Sequence, residues 1–165
     1  MSAARSDREP GTEMPRGEGL DRQDHRLLAL LASDGRAKLS ALAEATGLSV
    51  STVQTRVRRL EEIGAITGYR ALVSPETLGC PLAAIVEIYA DPSLDEEVPL
   101  AMERISQVQS CWSVAGDATH LVLVRVGDAQ ELEQVINQIR SAVHTRTRTT
   151  MVLRSHFDRV VAPKV

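Results

Sequence analysis

Arginines and short hydroxyl side chains crowd residues 51–59, where Ser51, Thr52, Thr55, Arg56, Arg58 and Arg59 stand close together. Guanidiniums pair with phosphate oxygens and guanine edges, and hydroxyls bond to neighbouring bases or backbone, so this mixture on one surface suits double-stranded DNA. Sharing a surface requires a helix. At roughly 100° per residue, Val50, Val53, Val57 and Leu60 gather on one apolar stripe, with Gln54 nearer the buried edge and Arg56 on the flank. The hydroxyls, Arg58 and Arg59 project away from it, and Ser49 is placed to cap the helix N-terminus. Amphipathic helices with arginines are common surface elements, so the reading depends on what presents this one.

The preceding segment supplies that. Leu39, Leu42, Ala43 and Ala45 suit a short, closely packed helix ending at Gly47, which can take the left-handed conformation that turns the chain sharply into the next helix. Two helices joined so tightly form a helix-turn-helix unit, whose second helix enters the major groove. Asp21 starts an earlier helix, with Asp24 favourable in its first turn and Leu27, Leu28, Leu30 and Leu31 supplying its core face. Asp34-Gly35-Arg36 breaks it. After the second helix of the pair, residues 64–70 fit a short strand leaving this small core, and Ser74-Pro75 with Gly79-Cys80-Pro81 punctuates a linker.

Composition limits the alternatives. The 165 residues are 43% hydrophobic and 25% charged, in the soluble globular range. Aromatics at 2% exclude a surface that works by stacking bases on rings. The net charge of -3 hides an asymmetry: residues 20–70 hold 8 basic against 6 acidic side chains, residues 71–165 hold 8 against 12. Two cysteines, Cys80 and Cys111, offer neither a disulfide framework nor a metal motif. No apolar run approaches the about 18 residues of a membrane span. We expect a cytoplasmic protein with no membrane contact, no metal and no cofactor.

The second half changes period. Residues 82–90 read as a strand, 94–106 as a helix with Pro99 in its first turn, and 109–116 and 120–126 as a hairpin closed by Asp117-Ala118-Thr119. Val98, Met102 and Ile105 face inward. Asp128 opens another helix with Glu131 at the capping-box position and Leu132, Val135, Ile136 and Ile139 along one side, and residues 145–156 close as a threonine-rich strand. This order specifies an α+β chain in which a ferredoxin-like βαββαβ domain, with both helices on one sheet face, follows the helix-turn-helix. Ser110, Trp112 and Val114 lie on one side of their strand and Cys111, Ser113 and Ala115 on the other, neither strongly polar. A second copy covering the free face makes a homodimer. The expected domains are a disordered tail over 1–19, helix-turn-helix 20–66, linker 67–81, effector and dimerisation domain 82–158, and a tail over 159–165.

At this point the chain resembles the feast/famine regulators, the leucine-responsive regulator/AsnC transcription factor family. The carriers are residues 20–24, Asp34-Gly35-Arg36, Leu42-Ala43, Gly47-Leu48-Ser49, the runs 53–61 and 64–69, Val114-Ala115-Gly116-Asp117 and Arg146-Thr147-Arg148-Thr149. The resemblance covers about residues 20–156. It implies a winged or plain helix-turn-helix, an effector domain binding small molecules, usually amino acids, and dimers that assemble further, often to octamers. It places the effector at Gly116, Asp117, Ala118 and Thr119, with His120 beside them in the candidate effector site, where the family's usual pattern has an aromatic residue. A turn with free backbone N–H groups can hold a carboxylate while an Asp pairs with an ammonium group, although Gly and Asp also make plain hairpin turns. Thr147 and Thr149, on one side of the last strand, can add hydroxyls.

The leading expectation is therefore a sequence-specific transcription regulator that binds double-stranded DNA through Ser49, Ser51, Thr52, Thr55, Arg56, Arg58 and Arg59 and answers to a small effector. Two alternatives share the architecture: an enzyme, since siroheme decarboxylases resemble these regulators in both domains, and an architectural DNA-binding protein without a ligand. The enzyme reading calls for converging His and Arg, whereas His25, His120, His144 and His156 are scattered and read as surface or edge residues. No nucleophile elbow, phosphate loop or zinc motif occurs.

Overall fold

The computed structural model describes residues 19–157. The tail expected over 159–165 and nearly all of that over 1–19 lie outside the described residues. The chain divides into two compact units meeting at Arg70 and Ala71.

The first unit is three helices: α1 (Arg22–Ser33), α2 (Leu39–Thr46) and α3 (Val50–Glu62). Asp21 caps α1 through a full capping box, its carboxylate taking the Asp24 N–H while Asp24 reaches back to the Asp21 N–H. Gly47 ends α2 in the left-handed conformation, φ 74°, and its N–H bonds Ala43 O. The core is Leu27, Leu42, Ala43, Val53 and Leu60, with Leu28, Leu30, Leu31, Leu39 and Val57 packed at its margin. Two expectations on α3 fail. Val50 is 47% exposed and Gln54 is exposed, because the stripe that meets α1 and α2 narrows to Val53, Val57 and Leu60. The expected strand over residues 64–70 is also missing, so no wing strand follows α3 among the described residues. Gly64 and Gly68 both take positive φ, and the Ile66 N–H is spent on Leu60 O. The segment folds back on α3 with no neighbour to pair as a sheet.

The second unit is a four-stranded antiparallel sheet in the order β2-β3-β1-β4, formed by β1 (Leu82–Tyr89), β2 (Val108–Ser113), β3 (His120–Val126) and β4 (Arg146–Val152). With α4 (Glu97–Glu103) and α5 (Ala129–Val143), it gives the βαββαβ order that the alternation of periods predicts. Ala84, Val86 and Ile88 of β1 and Val122, Val124 and Val126 of β3 pack with Val98, Met102, Leu132, Val135 and Ile139 of the helices. Several boundaries contract. The helix expected over 94–106 begins only at Glu97, after a separate 3-10 turn, Pro92–Leu94, capped by Asp91. β2 stops at Ser113, and β4 at Val152, where its ladder with β1 ends at Ala83. Asp128 caps α5 as expected, but Glu131 bonds the Gly127 N–H, one residue before the cap.

The pairing register sorts the sheet into two faces. Ile85, Leu121, Leu123, Ser110 and Trp112 share the face away from the helices, where Trp112 is 49% exposed. Residues 74–80, ahead of β1 in the second unit, are not slack: Leu78, Gly79 and Cys80 N–H groups bond Ser74, Glu76 and Pro75 carbonyls.

Candidate nucleic-acid interface and effector turn

Ser49 is the hub of the N-terminus of α3. Its Oγ accepts the Thr52 N–H at 3.1 Å and lies 3.0 Å from Ser51 Oγ and 2.7 Å from Thr52 Oγ1. Thr55 Oγ1 donates to Ser51 O at 3.0 Å. Ser49, Ser51, Thr52 and Thr55 are all exposed. The hydroxyls thus form an exposed row over the first two turns, and in the first of these backbone N–H groups also point outward and favour negative charge.

The three arginines do not behave alike. Arg58 is 80% exposed and pairs with Glu62 one turn on, at 2.9 Å. Arg56 turns toward α1: its Nη1 donates to Asp21 Oδ2 at 2.6 Å and Asp24 Oδ1 at 2.8 Å. Arg59 Nη1 donates to Asp24 Oδ2 at 3.1 Å and its Nη2 to Gly19 O at 3.1 Å. Asp24, 1% exposed, is therefore a buried carboxylate held by two guanidiniums and the Asp21 N–H. The Asp24 N–H and then the Arg56 guanidinium hold the Asp21 carboxyl below the usual range, and the same pairing, with Asp21 first, raises Arg56. A hollow at this corner is lined by Asp21, Asp24, Ser51, Thr52, Thr55, Arg56 and Arg59.

Sequence reasoning missed this network. It read Asp24 only as a charge favoured by the dipole in the first turn, although the signal was present: Asp21 and Asp24 sit three apart at the start of α1, Arg56 and Arg59 three apart on α3, and both spacings put side chains on one helix face.

In the second unit, Gly116 and Asp117 are exposed, and the Asp117 carboxylate bonds none of the described residues. Gly116 has an ordinary φ, and a Cβ there would meet nothing within 4 Å. Thr119 is committed to the fold: its N–H and Oγ1 both donate to Ile88 O, and Oγ1 accepts the Ala90 N–H at 3.1 Å. Ala118 is half-buried beside it.

His120 corrects the expectation of a surface or edge histidine, since it is fully buried on the helix-facing side of β3. Its Nδ1 lies 3.0 Å from Thr119 Oγ1; its Nε2 has no hydrogen bond among the described residues and lies 3.5 Å from Asp95 Oδ1. Register explains the burial, because His120 pairs with Ile88 and shares its face. Thr147 and Thr149 face the helices as well, on the far edge strand. Thr147 Oγ1 accepts from Arg140 Nε at 2.9 Å, while Thr149 Oγ1 is buried without a partner among the described residues. With β1 between them, His120 and Thr147 stand about 10 Å apart across the sheet. The fold brings 116–120 together and leaves the two threonines separate.

Comparison with known proteins bears on both units. Residues 20–61 match the AsnC-type helix-turn-helix domain and residues 83–161 the Lrp/AsnC ligand binding domain. The chain is 47% identical over 142 residues to the HTH-type transcriptional regulator LrpA of Mycobacterium tuberculosis, spanning 86% of this chain and 95% of that one. It is 34% identical over 142 residues to the leucine-responsive regulatory protein of Escherichia coli, spanning 83% and 87%. A feast or famine regulatory protein from M. tuberculosis, crystallised with L-methionine, superposes with a TM-score of 0.82 at 46% identity, covering 87% of this chain and 99% of that one. With an α3 of this composition on a helix-turn-helix and a βαββαβ domain behind it, the chain belongs to the Lrp/AsnC family of transcription regulators.

Proposed function

We propose that this regulator lays α3 in the major groove, reads DNA as a homodimer, and changes affinity or assembly when an amino acid binds at the 116–119 turn. The observation that carries the DNA reading is the exposed row Ser49, Ser51, Thr52 and Thr55, continued by Arg58, on a helix turned out of α2 by left-handed Gly47. Arg56 and Arg59 border the same surface.

The dimer reading rests on the free sheet face with Ile85 and Trp112, which is apolar enough to be covered by a second copy. Further assembly toward an octamer follows the family resemblance. Two-fold pairing brings two α3 helices to half-sites about one turn of DNA apart, or a multiple of it. Footprinting on a duplex selected from a random library tests this: paired, pseudo-symmetric protection is expected, and a lone asymmetric contact would contradict it.

The effector reading is supported by Gly116 and Asp117, whose exposure leaves backbone and carboxylate available, and by the relative crystallised with L-methionine. A ligand alters DNA binding only if it favours one arrangement of the domains that carry α3. A panel of amino acids including methionine should contain one that raises the melting temperature and shifts affinity for the selected duplex. If none does, amino-acid sensing is wrong and DNA binding stands. Catalysis has no place in this reading, and the protein incubated with siroheme and then freed of unbound pigment by gel filtration should retain no Soret band.

A further inference from the structure

The pairing of Arg56 and Arg59 has a consequence for how the DNA is read. Two guanidiniums facing two carboxylates make a cluster of no net charge, so it cannot act as a simple phosphate-attracting patch. What it supplies is orientation. Among the described residues Arg56 uses only Nη1, on Asp21 and Asp24, and a guanidinium carries five N–H donors in a rigid fork. The Nε and Nη2 donors have no partner among those residues, on a side chain still 28% exposed, beside Ser51, Thr52 and Thr55. Arg59 is fixed at both ends of its fork, by Asp24 and by Gly19 O. The carboxylate common to both arginines is Asp24, on a different helix and only 1% exposed, so it cannot itself reach a duplex.

We propose that Asp24 is a positioning residue for DNA recognition: its buried carboxylate locks the Arg56 fork in one orientation, and Arg59 beside it, so that the free donors of Arg56 meet the duplex together with the hydroxyl row. The proposal rests on the reading of α3 as the DNA-contacting helix. A flexible arginine pays side-chain entropy on binding and accepts many partners; one held in advance favours the partner that fits its fork. Asp24 therefore sets discrimination between sequences more than overall affinity.

The test uses the full chain, a duplex selected from a random library by that chain, and a scrambled duplex of equal length, with dissociation constants compared at several salt concentrations. Asp24→Asn removes the charge and keeps the shape. Its ratio of scrambled to selected dissociation constants should fall roughly tenfold, the scale of one bidentate base contact. Its affinity for scrambled DNA should hold or improve, since an acidic charge has left the DNA-facing unit.

Arg56→Lys retains an ion pair with Asp24 but has no fork, and it guards against a folding defect in the first variant. It should lose discrimination similarly, with a melting temperature near the parent's. Parent-like discrimination in both variants, whatever their melting temperatures, would overturn the positioning role and leave Asp24 purely structural. A parent chain that enriches no duplex and shows a ratio near one would instead overturn the DNA-reading function on which the proposal rests.

Discussion

The two units solve their burial problems differently. The helix-turn-helix unit has a core of five buried residues, Leu27, Leu42, Ala43, Val53 and Leu60, and closes its open corner with the Asp24 carboxylate clasped by Arg56 and Arg59. The sheet unit packs thirteen buried residues; among the described residues each unit leaves buried polar atoms without a hydrogen bond, Gln23 Oε1 in the helical unit and His120 Nε2 and Thr149 Oγ1 in the sheet unit. A small core leaves each contact carrying a larger share of stability, so an orphaned atom costing on the order of 1–3 kcal/mol weighs more there than in the larger core.

Leu60→Ala should produce the largest effect. Leu60 is fully buried, and its truncation should cost about 3 kcal/mol and abolish DNA binding. Hydrogen exchange should accelerate through α1, α2 and α3 while β1 and β3 amides keep their protection. Equal acceleration in the sheet would show that the contrast between the units is false.

Thr149→Val probes the cost of an orphaned atom in the larger core. The hydroxyl has no partner among the described residues and a methyl replaces it at nearly the same volume, so urea unfolding should show a gain of about 1 kcal/mol. A loss would mean that the Thr149 hydroxyl is satisfied in the folded chain and that the larger core carries no such cost. If the variant also loses the melting shift given by the effector, the Thr149 hydroxyl belongs to the ligand site.

Acid provides the smallest and most specific probe. The Asp21 carboxyl is lower in the folded chain than in the unfolded one, so its contribution is present above the unfolded value and disappears as pH falls through the folded value, below the ordinary carboxylate range. Asp21 is half-exposed and screened by solvent, so the effect is modest. An acid titration of helical signal should be shallower for Asp21→Asn than for the parent. Parallel curves would remove Asp21 from the clasp.

Much of this molecule is written locally. The Asp21 cap, the Gly47 turn, the Ser49 cap and the apolar, β-favouring runs that make β1 and β3 depend on neighbours a few residues apart, and each stands where its residue type requires it. Where local reasoning stopped, a distant partner decided. Residues 64–70 carry strand-forming side chains yet lack a strand to pair with, and Val50 sits on the right helical stripe yet beyond the reach of α1 and α2.

The candidate site divides the same way. The sequence determined the hydroxyl row and an exposed Gly116-Asp117 turn, because caps and turns are properties of short segments. Only the tertiary structure decided that Arg56 and Arg59 answer to Asp24, more than thirty residues away in the chain, and that His120, opposite Ile88, lies inside the sheet domain. Charge partners and burial depend on which surfaces meet, and no spacing within one helix or strand specifies that.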